Sequence, residues 1–395
     1  MNVALESVSS KWTTLPFGRL MARSKEADRP DLPPLSVYLD AGVVPRSTRD
    51  DNHNRLGADM SNYLVVRPGD IVFNKLRTWQ GGLGVSSDEG VVSPAYFVCR
   101  PNAQVDSRYF HYLLRSAPYL AELTRISKFM PPSQFDIAWD DLKAMLVPRP
   151  PLAEQRAIAD YLDAETARID ALIAKKQQLI NLLEERIDSE VRTAIGRSSL
   201  AQPNGEPAVE LRRFVERRLE WATEGDMITA FRDGQVTTRS LRGRDGFTDS
   251  WTEGSRVKRV QIGDLVVHGL DGFSGAIGDS ESEGVCSPVY HVLFGDRIDG
   301  ALVGRLLRIL AIEGYLGNFA VSTRERAVDF RNWDLFGRIP IPRIELRDQK
   351  RIGDMIRAIR PLKSLVQSSE KLANERRQAL TTRAVTGELE IEASQ

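Results

Sequence analysis

The sequence predicts an α/β (α+β) domain that occurs twice in the chain, with a long helix after each copy. Three observations support this prediction. The phrase GVVSPAYFV at residues 90–98 returns as GVCSPVYHV at residues 284–292, with six of nine positions identical. Matching residues continue on both sides of this phrase at a nearly constant separation. Each half then ends in a segment whose apolar residues recur every three or four positions, as in a helix.

The repeat covers nearly the whole chain of 395 residues. For most matches the separation is 194 residues, and they include Gly69/Gly263, Asp70/Asp264, Val72/Val266, Gly81/Gly275, Gly84/Gly278, Trp139/Trp333, Asp140/Asp334, Pro148/Pro342, Leu152/Leu346, Gln155/Gln349 and Ile158/Ile352. Nearer the N-terminus the separation is 193, as in Asp40/Asp233, Val43/Val236, Arg46/Arg239 and Ser47/Ser240. A period this long indicates a duplicated domain rather than a solenoid of short repeats.

The first part of each copy is predicted to mix short strands with helices. The stretch YLVVRPGDIVFNKL and its counterpart RVQIGDLVVHGL indicate strand, turn and strand. The Gly and Ser clusters that follow, at 80–90 and 273–284, are predicted to be loops, and the repeated phrase a strand entered through Ser-Pro. Apolar spacing predicts one helix in each copy after that strand, over 106–126 and 300–319.

The second part of each copy is predicted to be one long helix. From Leu152 to about Ile195 the chain contains neither Pro nor Gly, and its apolar stripe is Leu162, Ile169, Leu172, Ile173, Leu179, Ile180, Leu183 and Ile187. The second copy, Leu346 to about Val385, has the stripe Ile352, Met355, Ile356, Ile359, Leu362, Leu365, Val366, Leu372 and Leu380. A small domain cannot bury so long a stripe, so each helix is expected to pack on the other. Pro361 predicts a kink or a division into two segments.

Motifs for catalysis are missing from the sequence. It contains no phosphate-binding loop, dinucleotide fingerprint, metalloprotease motif or nucleophile elbow. The repeated carboxylates, Asp70/Asp264 and Asp140/Asp334, are expected to serve a turn before a strand and the start of a helix. The two cysteines, Cys99 and Cys286, lie in apolar stretches typical of buried thiols, and the four histidines lack metal-ligand spacing, so no metal is expected.

Composition is that of an ordinary globular protein, with 27% charged and 42% hydrophobic residues and a formal net charge of zero. Every apolar run is short and interrupted by charge, and the sequence begins without a secretory signal. We therefore expect a cytoplasmic location and no membrane partner. A neutral chain does not indicate a nucleic-acid binder by its charge alone, so binding would require a local basic face.

Three stretches carry a resemblance to a known family. PRPPLAEQRAIADYLDAETARIDALI resembles the first conserved region of the specificity (S) subunit of type I restriction-modification systems. RPGDIVFNKLRTWQGGLGVSSDEGVVSPAYFV resembles its target-recognition domains, and NERRQALTTRAVTGELEI the usual end of its second conserved helix. The resemblance covers essentially the whole chain. The chain departs from the family pattern at two places. At the start of the second long helix, IPIPRIELRDQKRI replaces Pro-Pro-Leu-x-Glu-Gln, and Pro361 lies within that helix.

The resemblance implies four parts: target-recognition domain 1 over 1–150, conserved helical spacer 1 over 151–200, target-recognition domain 2 over 201–344 and conserved helical spacer 2 over 345–395. It implies that the helices form an antiparallel coiled coil with pseudo-twofold symmetry. Each domain would read one half of a bipartite site in double-stranded DNA, while the helices set the spacing and dock two methyltransferase (M) subunits. Restriction/motor (R) subunits would complete the complex. The chain itself would have no cofactor and catalyse nothing, because S-adenosylmethionine would be bound by the partner.

Base reading favours Arg, Lys, Asn and Gln on loops that differ between the copies. The candidate DNA-binding residues in the first copy are Arg46, Arg49, Asn52, His53, Asn54, Arg55, Lys75, Arg77, Trp79, Gln80, Lys128, Ser133 and Gln134. Those in the second copy are Arg239, Arg242, Arg244, His268, Arg324, Arg326 and Arg331. For any single arginine the alternative is a solvated surface or an ion pair, and Trp79, whose counterpart is Phe273, is equally consistent with a place in the core.

Two other classes of function are compatible with a duplicated chain. One is an adaptor that binds proteins through two modules on a helical spacer. The other is an enzyme with two active sites, against which the missing motifs argue. Sequence-specific DNA binding by the assembled complex distinguishes the S subunit from the adaptor, and turnover by the purified chain alone would indicate the enzyme.

Overall fold

A computed structural model describes residues 8–50, 59–130, 134–196, 209–242, 256–324 and 327–391, without the side chains of 321–324 and 327. The chain forms two compact units. Unit 1 consists of residues 1–174 and 369–395, and unit 2 of residues 175–368. Each unit therefore combines strands and short helices with part of both long helices.

The described part of unit 1 contains short strands and three short α-helices. Its described strands are β1 Thr13–Pro16, β2 Met21–Ser24, β3 Leu35–Tyr38, β4 Gly42–Pro45, β5 Leu64–Val66, β6 Ile71–Asn74, β7 Leu83–Val85, β8 Gly90–Val92, β9 Tyr96–Pro101, β10 Lys128–Met130, β11 Gln134–Asp136 and β12 Leu146–Arg149. Its short helices are α1 Ser107–Arg115, α2 Ala117–Arg125 and α3 Trp139–Ala144. The helix α4, Leu152–Ala194, begins in unit 1 and ends in unit 2.

Unit 2 repeats this order of elements. Its described strands are β13 Val209–Glu210, β14 Glu216–Arg217, β15 Trp221–Ala222, β16 Ile228–Ala230, β17 Val236–Thr238, β18 Val257–Val260, β19 Leu265–His268, β20 Ile277–Asp279, β21 Gly284–Cys286, β22 Tyr290–Phe294, β23 Val321–Arg324, β24 Ala327–Asp329 and β25 Pro340–Ile341. Its short helices are α5 Gly300–Ile312 and α6 Trp333–Phe336. The helix α7, Leu346–Thr386, begins in unit 2 and ends in unit 1.

The sheets of the two units have the same strand order. The four-stranded sheet is β2-β9-β6-β7 in unit 1 and β14-β22-β19-β20 in unit 2. The pairs β1-β12, β3-β4 and β10-β11 correspond to β13-β25, β16-β17 and β23-β24. The pair β5-β8 corresponds to β18-β21, which the additional strand β15 extends. Strand ladders in the described parts are antiparallel, so the duplicated fold is the α+β form of the predicted class.

The repeated phrase forms two strands rather than the single strand predicted. In unit 1 it gives β8 and β9, which lie in different sheets, and in unit 2 it gives β21 and β22. The turn between them closes through a hydrogen bond from the Tyr96 N–H to the Ser93 oxygen of 3.0 Å, and Tyr290 and Ser287 repeat it at 3.1 Å. The Ser-Pro pair is therefore the turn that transfers the chain between two sheets.

The predicted loops at 80–90 and 273–284 each contain a strand, β7 and β20, so the loop prediction is wrong there. The glycines within these strands permit close packing instead of chain reversal. A Cβ atom on Gly84 would lie 3.1 Å from the Gly42 Cα atom, and one on Gly278 would collide with the Gly234 carbonyl oxygen. Both strands therefore need glycine because a neighbouring main chain approaches them closely.

The helix predicted over 106–126 is divided at Ser116, whose ψ of 151° is extended. The break fits Pro118, which cannot donate a main-chain hydrogen bond and suits the first turn of α2. The helix predicted over 300–319 ends at Ile312. Gly314 then adopts a left-handed φ of 78°, which glycine tolerates without strain, and a 3₁₀ turn follows.

The two long helices are confirmed, and they pack against each other in an antiparallel direction. In unit 2, Arg351 contacts Glu190 at 3.0 Å and Lys363 contacts Glu184. Residue numbers increase along α7 while those of their partners on α4 decrease, so the two helices run in opposite directions. In unit 1, Arg377 pairs with Asp170. Helix α7 remains a single helix of 41 residues through Pro361, so the predicted division into two segments does not occur.

Only part of each apolar stripe is buried. Ile180 is buried on α4, whereas the adjacent Leu179 is 55% exposed. Consecutive residues of a helix point about 100° apart, so the two cannot face the same core. The stripe leucines that the structure leaves exposed are Leu172, Leu179, Leu362, Leu365 and Leu372.

Each unit has its own hydrophobic core. Part of α4 and the end of α7 close the core of unit 1 with Leu162, Ala384 and Val385. The predicted buried thiols are confirmed: Cys99 and Cys286 are free and buried, and burial raises the pKa of Cys286 to about 12. The described helices are too short or too polar to cross a membrane.

Candidate nucleic-acid interface

The hairpin β3-β4 in unit 1 holds two of the candidate arginines. The Arg49 guanidinium lies 2.8 Å from the Asp40 carboxylate and 4.5 Å from the centre of the Tyr38 ring. Arg46 donates a hydrogen bond of 3.3 Å to the Ser36 hydroxyl. Both side chains are half-buried, so the hairpin fixes their positions.

The hairpin β16-β17 repeats this arrangement in unit 2. Arg242 lies 2.8 Å from the Asp233 carboxylate and 4.3 Å from the centre of the Phe231 ring. Arg239, the counterpart of Arg46, is half-buried as well. We call these repeated groups the arginine clamps, defined as Arg49 with Asp40 and Tyr38, and Arg242 with Asp233 and Phe231. Because both units contain a clamp, it belongs to the shared scaffold.

Candidate residues from separate segments of unit 1 lie near enough to Tyr96 to act on it electrostatically. Burial raises the pKa of the Tyr96 hydroxyl, and the positive charges of Arg46 and Arg77 act in the opposite direction. Arg46 follows β4 and Arg77 follows β6, so the fold brings together two of the predicted clusters.

The remaining described candidates in unit 1 lie on or near the β10-β11 hairpin. The Lys75 ammonium lies 3.8 Å from Asp136. The Trp79 ring lies 5.1 Å from the Phe135 ring, and its indole N–H donates to the Leu76 oxygen at 3.2 Å. Lys128 and Gln134 are exposed on this hairpin, and Gln80 is exposed beside Trp79. Trp79 is half-buried, with its ring against that of Phe135.

In unit 2, Tyr290 occupies the position of Tyr96, and the positive charge of Arg239, the counterpart of Arg46, acts on it as well. The His268 ring lies 4.5 Å from the Tyr290 ring, and burial lowers the pKa of His268. The His268 Nδ1 atom accepts hydrogen bonds from the N–H groups of Leu270 and Asp271, so this imidazole is held in place. Arg331 pairs with Asp329 at 2.6 Å and stays mainly exposed.

Several candidates lie outside the described residues: Asn52, His53, Asn54, Arg55, Ser133, Arg244 and Arg326. For Arg324 only the main chain, in β23, is described. The described candidates of each unit fall into the clamp, the group around the repeated tyrosine and the hairpin that precedes α3 or α6.

The repeated carboxylates have structural partners. Asp70 is 2% exposed, pairs with Arg100 at 3.2 Å and accepts the Arg67 N–H at 3.0 Å. Asp264 is 3% exposed and pairs with Arg218 at 2.7 Å. These contacts fit the predicted turn role and occupy the oxygens that an acid catalyst would require.

Sequence reasoning missed the apolar side chains of the β10-β11 hairpin. Phe129 is 52% exposed and Met130 is 42% exposed, and Phe135 lies between Phe129 and Trp79. The short stretches KFM and QFD, each with a central phenylalanine and separated by Pro-Pro-Ser in the sequence, are the signal that could have predicted this pair of strands.

Similar structures have been solved for type I restriction-modification systems. A chain from a structure that addresses complex assembly and conformational transition of the type I R-M system matches with a TM-score of 0.64 and 16% identity, over 97% of this chain and 99% of that chain. This match confirms the predicted resemblance at the level of the fold.

Two S subunits also match over nearly their whole length, with TM-scores too low to establish a shared fold. The HsdS subunit from Thermoanaerobacter tengcongensis has 17% identity, 97% and 98% coverage and a TM-score of 0.48. The type I S subunit from M. genitalium has 13% identity, 97% and 99% coverage and a TM-score of 0.49. No model of a protein family and no curated protein matches the chain.

Proposed function

We propose that this chain is the DNA-specificity subunit of a type I restriction-modification complex. The observation that carries the proposal is the match of fold over 97% of the chain to a component of such a system. The internal duplication agrees with it, because two similar domains suit a DNA site made of two half-sites.

Each recognition domain, within residues 1–150 and 201–344, reads one half-site. The shared sheets and the arginine clamps give both domains the same backbone scaffold. The residues that differ between the copies determine which DNA sequence each domain recognises. Near the repeated tyrosine, for example, unit 1 has Arg77, whose counterpart is Asp271, and unit 2 has the partly buried His268, whose counterpart is Asn74.

The long helices fix the gap between the half-sites and dock two methyltransferase subunits. Helix α4 has 43 residues, which corresponds to about 65 Å at 1.5 Å per residue. Its exposed leucines and those of α7 offer apolar surface for such docking. Restriction/motor subunits complete the complex.

The chain performs no catalysis of its own under this proposal. The methyltransferase subunits bind S-adenosylmethionine and modify adenine, and this chain selects the site. This chain itself requires no cofactor under the proposal. The buried ion pairs of Asp70 and Asp264 support this division of labour, because arginine side chains occupy the carboxylate oxygens.

The proposal is tested by expressing the chain with its cognate methyltransferase subunits and mapping methylated adenines across a genome. We expect a single bipartite motif with a fixed gap. Exchange of residues 1–150 for the domain of another S subunit should change one half-site only. Insertion of one helical turn after about Ile173 should lengthen the gap and leave both half-sites unchanged. If the assembled complex binds its motif no better than scrambled DNA, the chain is instead an adaptor for proteins.

A further inference from the structure

The β10-β11 hairpin of unit 1 exposes apolar side chains. We define the aromatic ribbon as Trp79, Phe129 and Phe135, and Met130 follows Phe129 on the opposite face of β10. The Phe129 and Phe135 rings lie 5.1 Å apart, and the Phe135 and Trp79 rings also lie 5.1 Å apart. Phe129 is 52% exposed and Met130 is 42% exposed. Clustered apolar side chains that face water indicate a binding surface.

Polar and basic residues surround the aromatic ribbon. Lys128, Arg77, Gln80 and Gln134 are exposed next to it in the sequence, on the hairpin itself or on the segment that carries Trp79. Lys75 pairs with Asp136 on the hairpin at 3.8 Å, so the charge of that carboxylate is balanced locally. The surroundings therefore suit a polyanion that also presents apolar groups.

DNA presents such groups in its major groove. The groove is about 12 Å wide and admits a two-stranded β-ribbon, and thymine alone among the four bases carries a methyl group there. Phenylalanine is among the side chains that make apolar contact with this methyl group. The β10-β11 hairpin is a two-stranded antiparallel ribbon, and all three residues of β10 are exposed.

The aromatic ribbon belongs to one copy only. At the same separation of 194 residues, the counterparts of Phe129, Met130 and Phe135 are Thr323, Arg324 and Asp329. The counterpart of Trp79 is Phe273, which packs at the edge of the core of unit 2. The hairpin itself is repeated as β23-β24, so the scaffold is the same and the chemistry of its surface is different.

We propose that the aromatic ribbon is the element of unit 1 that reads its half-site, and that Phe129 recognises thymine through its methyl group. This inference rests on the proposed function and names the chemistry of one reader. Specificity in unit 1 then depends on an apolar contact.

The first experiment removes the methyl group from DNA. The assembled complex is titrated with synthetic duplexes in which each thymine of the motif is replaced, one at a time, by deoxyuridine. We expect at least one replacement in the half-site assigned to unit 1 to weaken binding about four-fold, as the loss of one buried methyl group predicts. A unit 1 half-site without thymine, or with no sensitive thymine, would overturn the inference.

The second experiment removes the protein side of the contact. Phe129→Thr introduces the residue of the other copy, and the exposure of Phe129 makes the change compatible with folding. The variant complex should discriminate less between the thymine and deoxyuridine duplexes at the sensitive position, because threonine offers the thymine methyl group a smaller apolar contact than phenylalanine. It should keep the half-site of unit 2. The matched control is Leu219→Ala, which truncates a 55% exposed apolar side chain in unit 2 and should leave the sensitivity of the unit 1 position intact.

The outcomes separate this inference from the proposed function. If the wild-type complex methylates no bipartite motif, the proposed function fails. If the motif exists but Phe129→Thr retains the full sensitivity to deoxyuridine, only the aromatic ribbon loses its role. If Phe129→Thr prevents assembly with the methyltransferase subunits, as seen by native mass spectrometry, the surface docks protein and the inference is wrong.

Discussion

The side-chain oxygen of Gln155 accepts a hydrogen bond of 2.9 Å from the main-chain N–H of Asp106. The amide nitrogen of Gln155 donates to the oxygens of Gln104 and Pro150, each at 3.0 Å. Asp106 in turn caps α1, so one buried side chain in the first turn of α4 holds the start of another helix. In unit 2, Gln349 and Asp299 repeat the contact at 2.9 Å.

Gln155→Ala should destabilise unit 1 locally. The substitution leaves the Asp106 N–H and two carbonyl groups without their partner in a buried place, which costs about 1–3 kcal/mol. We expect faster hydrogen exchange in α1 and no change in α5. The measurement is hydrogen-exchange mass spectrometry of the full chain. Gln349→Ala is the matched control and should reverse the pattern; equal effects of both variants on both helices would contradict it.

The buried aspartates of the two units take their arginine from different strands. Asp70 is paired with Arg100 of β9, whereas Asp264 is paired with Arg218, next to β14. Arg218 is 9% exposed and lies 4.5 Å from the centre of the Phe294 ring. Phe294 is the counterpart of Arg100, so the arginine has exchanged strands between the copies.

Arg218→Ser should lower the free energy of unfolding of unit 2 by about 3–5 kcal/mol, because it leaves a buried carboxylate without its partner. Adding Phe294→Arg installs the arrangement of unit 1 and should restore most of the loss. Urea denaturation read by pulse hydrogen exchange provides the measurement. The idea of an exchanged arginine is wrong if the double variant is no more stable than Arg218→Ser.

The stability of unit 2 should depend on pH through His291, which is 4% exposed. Burial lowers its pKa to about 4, although its Nε2 atom bonds the Phe330 oxygen at 2.7 Å. An unfolded histidine has a pKa of about 6.5, so between these values the unfolded state binds more protons. Stability therefore falls as the pH falls from about 6.5 to 4, by up to about 1.4 kcal/mol per pH unit.

His291→Phe introduces the counterpart residue, Phe97, and should remove this part of the pH dependence. At pH 7 it should cost about 1 kcal/mol, since the Phe330 oxygen loses its donor. The test compares urea midpoints of unit 2 peptides at pH 7 and pH 5, with labelling at one fixed pH. Peptides of unit 1 are the internal control. If the urea midpoint of unit 2 differs between pH 7 and pH 5 by the same amount in the variant as in the wild type, His291 is not the source of the pH dependence.

Arg49→Ala should weaken DNA binding by the complex a few-fold without changing the bases that it recognises. The clamp occurs in both units with nearly equal distances, 2.8 Å to the carboxylate in each, so it cannot encode the difference between half-sites. The measurements are affinity for the wild-type motif and the motif of methylated adenines. A base position that becomes degenerate in the variant would show that Arg49 reads sequence after all.

The repeat and its long helices could be predicted because they depend on spacing along the chain. Gln155 and Gln349 stood at matching positions, and the stripes had helical period. The aromatic ribbon could not be found in this way, since Phe129 and Phe135 meet Trp79 only after the chain has folded across 50 residues. Glycines misled the prediction of loops, because the approach of another main chain to Gly84 leaves no local signal.

The core of unit 1 is completed by Ala384 and Val385, while unit 2 is built from the continuous stretch 175–368. During synthesis the ribosome therefore releases everything that unit 2 requires before it releases the last side chains of unit 1. The half that is encoded first is the half that matures last. Until then the core of unit 1 in the nascent chain is incomplete. The Tyr109 hydroxyl, for example, lacks the Val385 oxygen to which it donates a hydrogen bond in the folded chain.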